Sequence, residues 1–327
     1  MNATTLAEMP VLILYPHQRC NCRCVMCDIW KGRSAGEISP DDLKRHLEDI
    51  RRLNVQWVVL SGGEPLMHSD LFRLTALVRS FGIRVTILST GLLVENHAGQ
   101  IVDSVDDVII SLDGPPAIHD QVRRVPGAFN RIAAGIAALH QLNPAFPVSA
   151  RSTVQRLNYR HVRETAKLAH ELGFRSISFL AADVSSQAFN RTSPLSVLGQ
   201  AKLALDEQQI SELEVAFSGL LSDWTGTDFL AEDQVKLERI LLHFRAHLGV
   251  IEPIAPRCNA PWVSAVVESD GTVRPCFFQD PIGKIGARSL LEVINGPEAV
   301  RFRSTLNVAT NPICRRCVCS LNWKECA

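Results

Sequence analysis

The sequence predicts an α/β protein, a partial (β/α)6 barrel followed by a small C-terminal hairpin-plus-helix domain. Three observations predict it. Six short apolar runs alternate with helix-length segments between residues 11 and 180. The alternation stops in a stretch rich in Ala, Ser and Asn at 181–205. A cysteine-rich tail then carries a hairpin signal at Ser269-Asp270-Gly271. Strands that alternate with helices form parallel sheets with right-handed crossovers, and six units close only part of a barrel.

The strands are Val11–Tyr15, Gln56–Leu60, Arg84–Leu88, Asp107–Leu112, Val148–Val154 and Ser176–Leu180, each a short apolar run of the kind buried in a parallel sheet. Ser39 caps a helix that Pro40-Asp41-Asp42 opens and that runs to about Leu53. Further helices follow His68 and Leu92, a fourth starts at Ala128 with Ile132, Ile136 and Leu139 on one side, and a fifth spans Asn158 to Leu172. Gly173 stands where a left-handed residue ends that last helix. Two more helical stretches, Asp206–Trp224 and Phe229–Leu248, precede a link punctuated by Pro253 and Pro256. In the tail, Trp262–Glu268 and Thr272–Phe278 read as hairpin strands, because Asp-Gly favours the positive-φ turn. A helix from Ser289 to about Leu306 follows. The expected organisation is residues 1–205 barrel, 206–254 helical linker, and 255–327 C-terminal domain.

Lys plus Arg and Asp plus Glu both number 34, so no charge excess points to nucleic acid or an anionic membrane. The start lacks the basic and apolar regions of a signal peptide, and no apolar run approaches the ~18 residues a membrane helix needs. A cytoplasmic protein is expected, in which 10 cysteines bind metal in preference to forming disulfides. They fall in two groups, Cys20 to Cys27 and Cys258 to Cys326, with none between.

Cys20, Cys24 and Cys27 stand in C-x3-C-x2-C spacing after the first strand. Three thiolates can hold three irons of a [4Fe–4S] cube and leave the fourth open; zinc is the competing ligand for such spacing. The second strand ends in Ser61-Gly62-Gly63-Glu64-Pro65, the third in Ser89-Thr90-Gly91, the fourth in Ser111-Leu112-Asp113-Gly114-Pro115. In the tail, Cys258 is followed by Gly271 and, four residues on, Cys276; Cys314 and Cys317 then form a C-x2-C pair. Together these segments resemble the radical S-adenosylmethionine (SAM) superfamily with an auxiliary-cluster domain of the SPASM or shorter twitch type. The resemblance implies two [4Fe–4S] clusters, one on Cys20, Cys24 and Cys27 and one fully held by Cys258, Cys276, Cys314 and Cys317. It places Gly62, Gly63 and Glu64 at the SAM amino group, and Ser111 and Asp113 at its ribose and the substrate cavity. Arg151, in the fifth strand, is the candidate grip on the SAM carboxylate. Met26 departs from the family habit of an aromatic before the last cysteine, and Cys22 is a spare thiol pointing away.

The implied function is a 5′-deoxyadenosyl radical that abstracts hydrogen from a small organic substrate, with an electron donor such as flavodoxin or ferredoxin and an auxiliary cluster that assists electron transfer. Cys319 and Cys326 lie beyond the auxiliary ligands and are candidate hydrogen-atom donors, which would make the reaction an epimerisation in place of a net oxidation. A peptide-modifying maturase is the alternative; the 10 residues before the first strand leave no room there for a leader-binding domain. Tetrapyrrole chemistry is a third. A non-catalytic iron–sulfur or zinc protein leaves Glu64 and the repeated βα units without a purpose.

Overall fold

In the computed structural model, which describes residues 4–32, 36–191 and 193–323, one mixed sheet runs through both halves of the chain. Its barrel strands are β1 (Val11–Leu14), β2 (Trp57–Leu60), β3 (Arg84–Ser89), β4 (Asp107–Ser111), β5 (Val148–Val154) and β6 (Ser176–Ala181), all parallel to their neighbours. The tail adds β7 (Ser264–Val267), β8 (Thr272–Arg274) and β9 (Gly283–Lys284). The sheet order among the described residues is β6-β5-β4-β3-β2-β1-β7-β8-β9. Thus β7 lies parallel to β1, Val11 opposite Ser264 and Leu14 opposite Val267, and the hairpin continues the barrel sheet. Buried residues of both halves, Leu12, Val58, Val267, Val273 and Val293 among them, belong to one apolar core.

The helices on the barrel are α1 (Pro40–Lys44), α2 (Leu47–Arg52), α3 (Leu71–Arg79), α4 (Val94–Ser104), α5 (Pro116–Arg123), α6 (Ala128–Leu142) and α7 (Val162–Glu171). After β6 come α8 (Val197–Leu203), α9 (Glu207–Asp223) and α10 (Gln234–His247); the tail holds α11 (Ala260–Val263), α12 (Leu290–Ile294), α13 (Pro297–Thr305) and α14 (Pro312–Arg315). Ser39 caps α1 in a reciprocal capping box with Asp42. The single helix expected over residues 40–53 is two, because the chain tightens at His46 N to Leu43 O before α2 begins. The helix expected from Ser289 to Leu306 also breaks, at Gly296-Pro297, where proline supplies no N–H. Pro261 turns the start of the first hairpin strand into α11, and Pro275 ends β8 early. Four helices were not expected: α5, α8 and the short α11 and α14.

Residues 206–254 do more than connect. Ile177 N donates to Phe229 O at 2.8 Å, Ala231 N to Ile177 O at 2.9 Å, and Phe179 N to the Glu232 carboxylate at 2.8 Å. This covers the outer edge of β6, which would otherwise be an open template for pairing. Among the described residues no helix is long and apolar enough to cross a membrane.

Candidate active site

The loop carrying Cys20, Cys24 and Cys27 crosses the C-terminal ends of the strands and is tied down at each crossing. Glu64 N donates to Arg19 O at 2.8 Å, at the end of β2. Thr90 Oγ1 donates to Asn21 Oδ1 at 3.0 Å, at the end of β3. Val25 N and Arg23 N donate to the carbonyls of Val122 (3.0 Å) and Arg123 (3.2 Å), the last residues of α5. Beyond β6, Arg191 Nη2 donates to Met26 O at 2.6 Å, while Arg191 Nη1 pairs with buried Asp183 at 2.7 Å. Met26 is buried, and its sulfur accepts from Gln155 Nε2 at 3.7 Å.

The glycine pair follows from this geometry. A Cβ on Gly63 would stand 1.9 Å from Arg19 O, and one on Gly62, whose φ is +98°, would stand 2.9 Å from the Tyr15 ring. Only glycine lets the end of β2 lie against the cysteine loop. Glu64 is 0% exposed. Its Oε1 accepts from Leu66 N (3.1 Å) and Ser89 Oγ (2.9 Å), and its Oε2 from Thr90 N and Thr90 Oγ1 (both 2.6 Å). Burial raises its pKa against the pull of these donors. The carboxylate therefore clamps the end of β2 to the end of β3.

Asp113 too is 0% exposed, ion-paired with Arg123 Nη2 at 2.5 Å and accepting from Thr153 N at 2.7 Å. His119 Nδ1 accepts from Asp113 N at 3.1 Å, and Asp120 accepts from Phe129 N at 3.0 Å at the start of α6, so both organise the loop. Ser111 and Arg151 are register partners in β4 and β5. Arg151 Nε donates to Ser178 Oγ at 3.2 Å, and its charge acts on Glu232 and Cys319.

Burial raises the Cys20 and Cys27 thiols to about 12. Cys24 is held below the ordinary thiol range by a hydrogen bond from Cys22 and then by the Arg123 charge. Cys22 is buried, as a spare thiol should be, but turns toward Cys24 and not away. Asn21 Nδ2 and Arg123 Nε, buried donors flanking these thiols, have no partner among the described residues. Thiols with mutual electrostatic contact and orphaned donors beside them fit a cluster with acceptor sulfurs.

The thiols of the second group are also in mutual electrostatic contact. Cys276 feels Cys314 and Cys258, and Cys317 feels Cys276 and Cys258. Burial raises Cys276 to about 11. Gln279 Nε2 donates to Cys314 Sγ at 3.4 Å, and Asn311 Oδ1 accepts from Cys314 N at 3.0 Å. Cys319 is a fifth thiol here: its carbonyl accepts from Cys317 Sγ at 3.0 Å. Solvent reaches Cys319, yet surrounding protein raises its pKa while Arg151 and Arg239 oppose the rise. Cys326 lies outside the described residues.

A cavity of about 500 Å³ opens where barrel, post-β6 loop and tail meet, lined by neighbours in sequence of both cysteine groups but by none of the cysteines. Tyr15 and Gly62 from the barrel, Phe189 and Arg191 from the loop after β6, and Arg274 and Phe277 from the tail line it. Phe277 packs edge-on against Phe189 at 4.8 Å and Tyr15 at 6.1 Å. Tyr15 feels the charges of both Cys27 and Cys319. Phe189 and Asn190 both have left-handed φ, +63° and +62°, a costly pair held by the Asp183–Arg191 anchor. Sequence reasoning missed Tyr15, Phe189, Phe277 and Arg191; only the position of Phe277 directly after Cys276 hinted at them.

Comparison with known proteins agrees with this arrangement. Residues 14–169 match the family model described as Radical SAM superfamily, and residues 258–318 that of SPASM, an iron–sulfur cluster-binding domain. The chain is 34% identical over 293 residues to the AdoMet-dependent heme synthase of Methanosarcina barkeri, covering 86% of this chain and 81% of that protein. It is 25% identical over 288 residues to the PqqA peptide cyclase of Ruegeria pomeroyi, 85% of this chain and 70% of that one. The fold is similar to that of Streptococcus suis SuiB bound to S-adenosylmethionine, with TM-score 0.69 at 16% identity over 97% of this chain and 74% of SuiB.

Proposed function

Since the chain belongs to the radical SAM superfamily and carries a SPASM-type C-terminal domain, we propose that it abstracts hydrogen from a tetrapyrrole of the haem-precursor kind. The observation that carries the proposal is the similarity to a heme synthase over 86% of the chain. An aromatic-lined cavity of about 500 Å³, where the barrel meets the tail, suits a large flat substrate. Cys20, Cys24 and Cys27 would hold one [4Fe–4S] cluster, and Cys258, Cys276, Cys314 and Cys317 a second. With SAM bound at the first, they supply one-electron reduction and hydrogen-atom abstraction. Residues 1–205 would form the radical domain, and 255–327 the auxiliary one.

The protein's own residues bind and position. Gly62 and Gly63 bring the end of β2 against the cysteine loop, with Glu64 locking β2 to β3. Ser111 and Arg151 are proposed to meet the SAM ribose and carboxylate. Phe189, Phe277 and Tyr15 would hold the substrate by ring contacts and exclude water. Cys319, solvent-reachable and electrostatically coupled to Tyr15, is the proposed hydrogen-atom donor if the reaction is redox-neutral. An external one-electron donor such as flavodoxin or ferredoxin completes the cycle. A peptide substrate is the second reading, supported by the similarity to PqqA peptide cyclase over 85% of the chain.

Anaerobically reconstituted protein should contain about eight irons, the content of two cubes. A panel of haem-precursor tetrapyrroles and a panel of peptides should then be screened for substrate-dependent 5′-deoxyadenosine. Stimulation by a tetrapyrrole is the expected result. Stimulation by peptides alone would replace this substrate class, and absence of any SAM cleavage would overturn the activity itself.

A further inference from the structure

The ion pair between Arg123 and Asp113 has no role in the barrel's apolar packing, and its placement is unusual. Arg123 is the last residue of α5; Asp113 follows β4. The side chains are 9% and 0% exposed, with Nη2 and Oδ2 2.5 Å apart. Burying two charges carries a desolvation penalty that a surface pair avoids, so a buried pair calls for a reason beyond stability. The opposite side of the guanidinium supplies one: Arg123 Nη1 donates to Cys24 Sγ at 3.5 Å across 99 residues of sequence. Arg123 Nε, also buried, has no acceptor among the described residues.

The surroundings fix this orientation. Asp113 cannot swing away, because its Oδ1 accepts from Thr153 N at 2.7 Å and its carbonyl from Asn158 Nδ2 at 2.9 Å. Arg123 is held through its backbone, since the Arg123 and Val122 carbonyls take the N–H groups of Arg23 and Val25. Arg124 then leaves the helix in the left-handed conformation, φ 55°, so the chain turns away at once. The result is a fixed dipole with its carboxylate at β5 and its cationic, hydrogen-donating end at the cysteine sulfur.

We propose that Arg123 and Asp113 are positioning residues that set the reduction potential of the cluster on Cys20, Cys24 and Cys27. This rests on the reading of those cysteines as cluster ligands. Hydrogen bonds to the sulfurs and local charge are the protein's levers on such a potential. Reduction adds one negative charge to the cluster. An N–H donor and a cation beside Cys24 stabilise the reduced state and raise the potential, while the carboxylate behind them lowers it. The two residues therefore act in opposite directions, whereas a merely structural pair would be lost in the same direction from either side.

The test is a potentiometric titration of the reconstituted full-length protein followed by electron paramagnetic resonance, with the signal that SAM perturbs assigned to the N-terminal cluster. Arg123→Met should make the one-electron reduction about tenfold less favourable, a fall of about 59 mV. Asp113→Asn should move it tenfold the other way. The double variant, which removes both charges, should lie between the two. Arg123→Lys, which keeps the charge but not the fork, should shift down by less than Arg123→Met and serves if the methionine variant fails to fold. Variants that hold their iron and leave the midpoint unchanged, or shift it in the same direction, would overturn the proposal. A signal that survives in Cys24→Ala would overturn instead the assignment of Cys24 as a ligand, a failure the wild-type control separates from the first.

Discussion

At Glu64 each carboxylate oxygen accepts from one backbone N–H, Leu66 N at 3.1 Å and Thr90 N at 2.6 Å, so the residue does not tolerate its own amide. The Ser89 and Thr90 hydroxyls can rotate to accept a proton, but a backbone N–H cannot. Glu64→Gln therefore sets a buried amide donor against a buried backbone donor, whichever way the amide turns. An unsatisfied buried donor costs about 1–3 kcal/mol. The variant should unfold at lower denaturant concentration by that amount in the metal-free protein, and bind SAM more weakly once reconstituted. Equal unfolding midpoints for the two proteins would mean that Glu64 does not clamp the strand ends. The importance of this glutamate was legible in the sequence, from its place after two glycines at a strand end. Its partners were not, because Ser89 and Thr90 lie 25 and 26 residues away and only the β2–β3 pairing brings them together. The partner of Asp113 was hidden for a related reason: Arg123, which takes up its charge, sits on α5, a helix the sequence analysis did not expect.

The element that positions the N-terminal thiols is the junction of β2 with the cysteine loop, and its tolerance is measured at Gly63. A methyl group there would overlap backbone, Arg19 O at 1.9 Å, and not the end of a flexible side chain. Gly63→Ala must push the loop off the strand end and break the Glu64 N to Arg19 O hydrogen bond. Gly82 is the control, since its φ is +72° but nothing lies within 4 Å of an added Cβ. Gly82→Ala should lose only the conformational penalty of about 1–2 kcal/mol for a left-handed residue and keep its iron. Gly63→Ala should fall from about eight irons per chain to about four, because the tail cysteines are not displaced. Full iron content in Gly63→Ala, measured with sulfide after anaerobic reconstitution, would show that the loop does not depend on this close approach. Strands and long helices were readable here because apolar periodicity is local. The left-handed turn at Phe189-Asn190 was not, since the Asp183–Arg191 and Arg191–Met26 anchors impose it, whereas the helix breaks after Leu43 and at Gly296-Pro297 have local causes that the periodicity alone passed over.

On the scale of the whole molecule, one sheet crosses the boundary that the sequence suggests. The cysteine-free gap and the prolines at 253 and 256 read as a boundary, yet β7 pairs with β1 along its full length, from Val11–Ser264 to Leu14–Val267. Strand pairing between segments some 250 residues apart leaves no local trace in composition, so a pattern reading could find both strands and still miss their contact. Further bonds tie the ends together: Leu6 exchanges hydrogen bonds with the Asn295 side chain at 2.8 and 2.9 Å, and Arg303 Nε donates to Thr4 O at 2.6 Å. The tail is therefore part of the barrel's wall as well as the bearer of a second cysteine group. A fragment ending at Pro253 would expose the whole of β1, four apolar residues long, as an open edge beside the cysteine loop. Unpaired edges of that kind recruit other chains. The fragment should aggregate on size-exclusion chromatography and reconstitute little iron on Cys20, Cys24 and Cys27, although it retains all three. A full-length chain with Cys258, Cys276, Cys314 and Cys317 replaced by Ala keeps β7 and should remain monodisperse, with about four irons. A monodisperse fragment that holds four irons would show instead that the barrel is complete without β7, and that the shared sheet carries no stability.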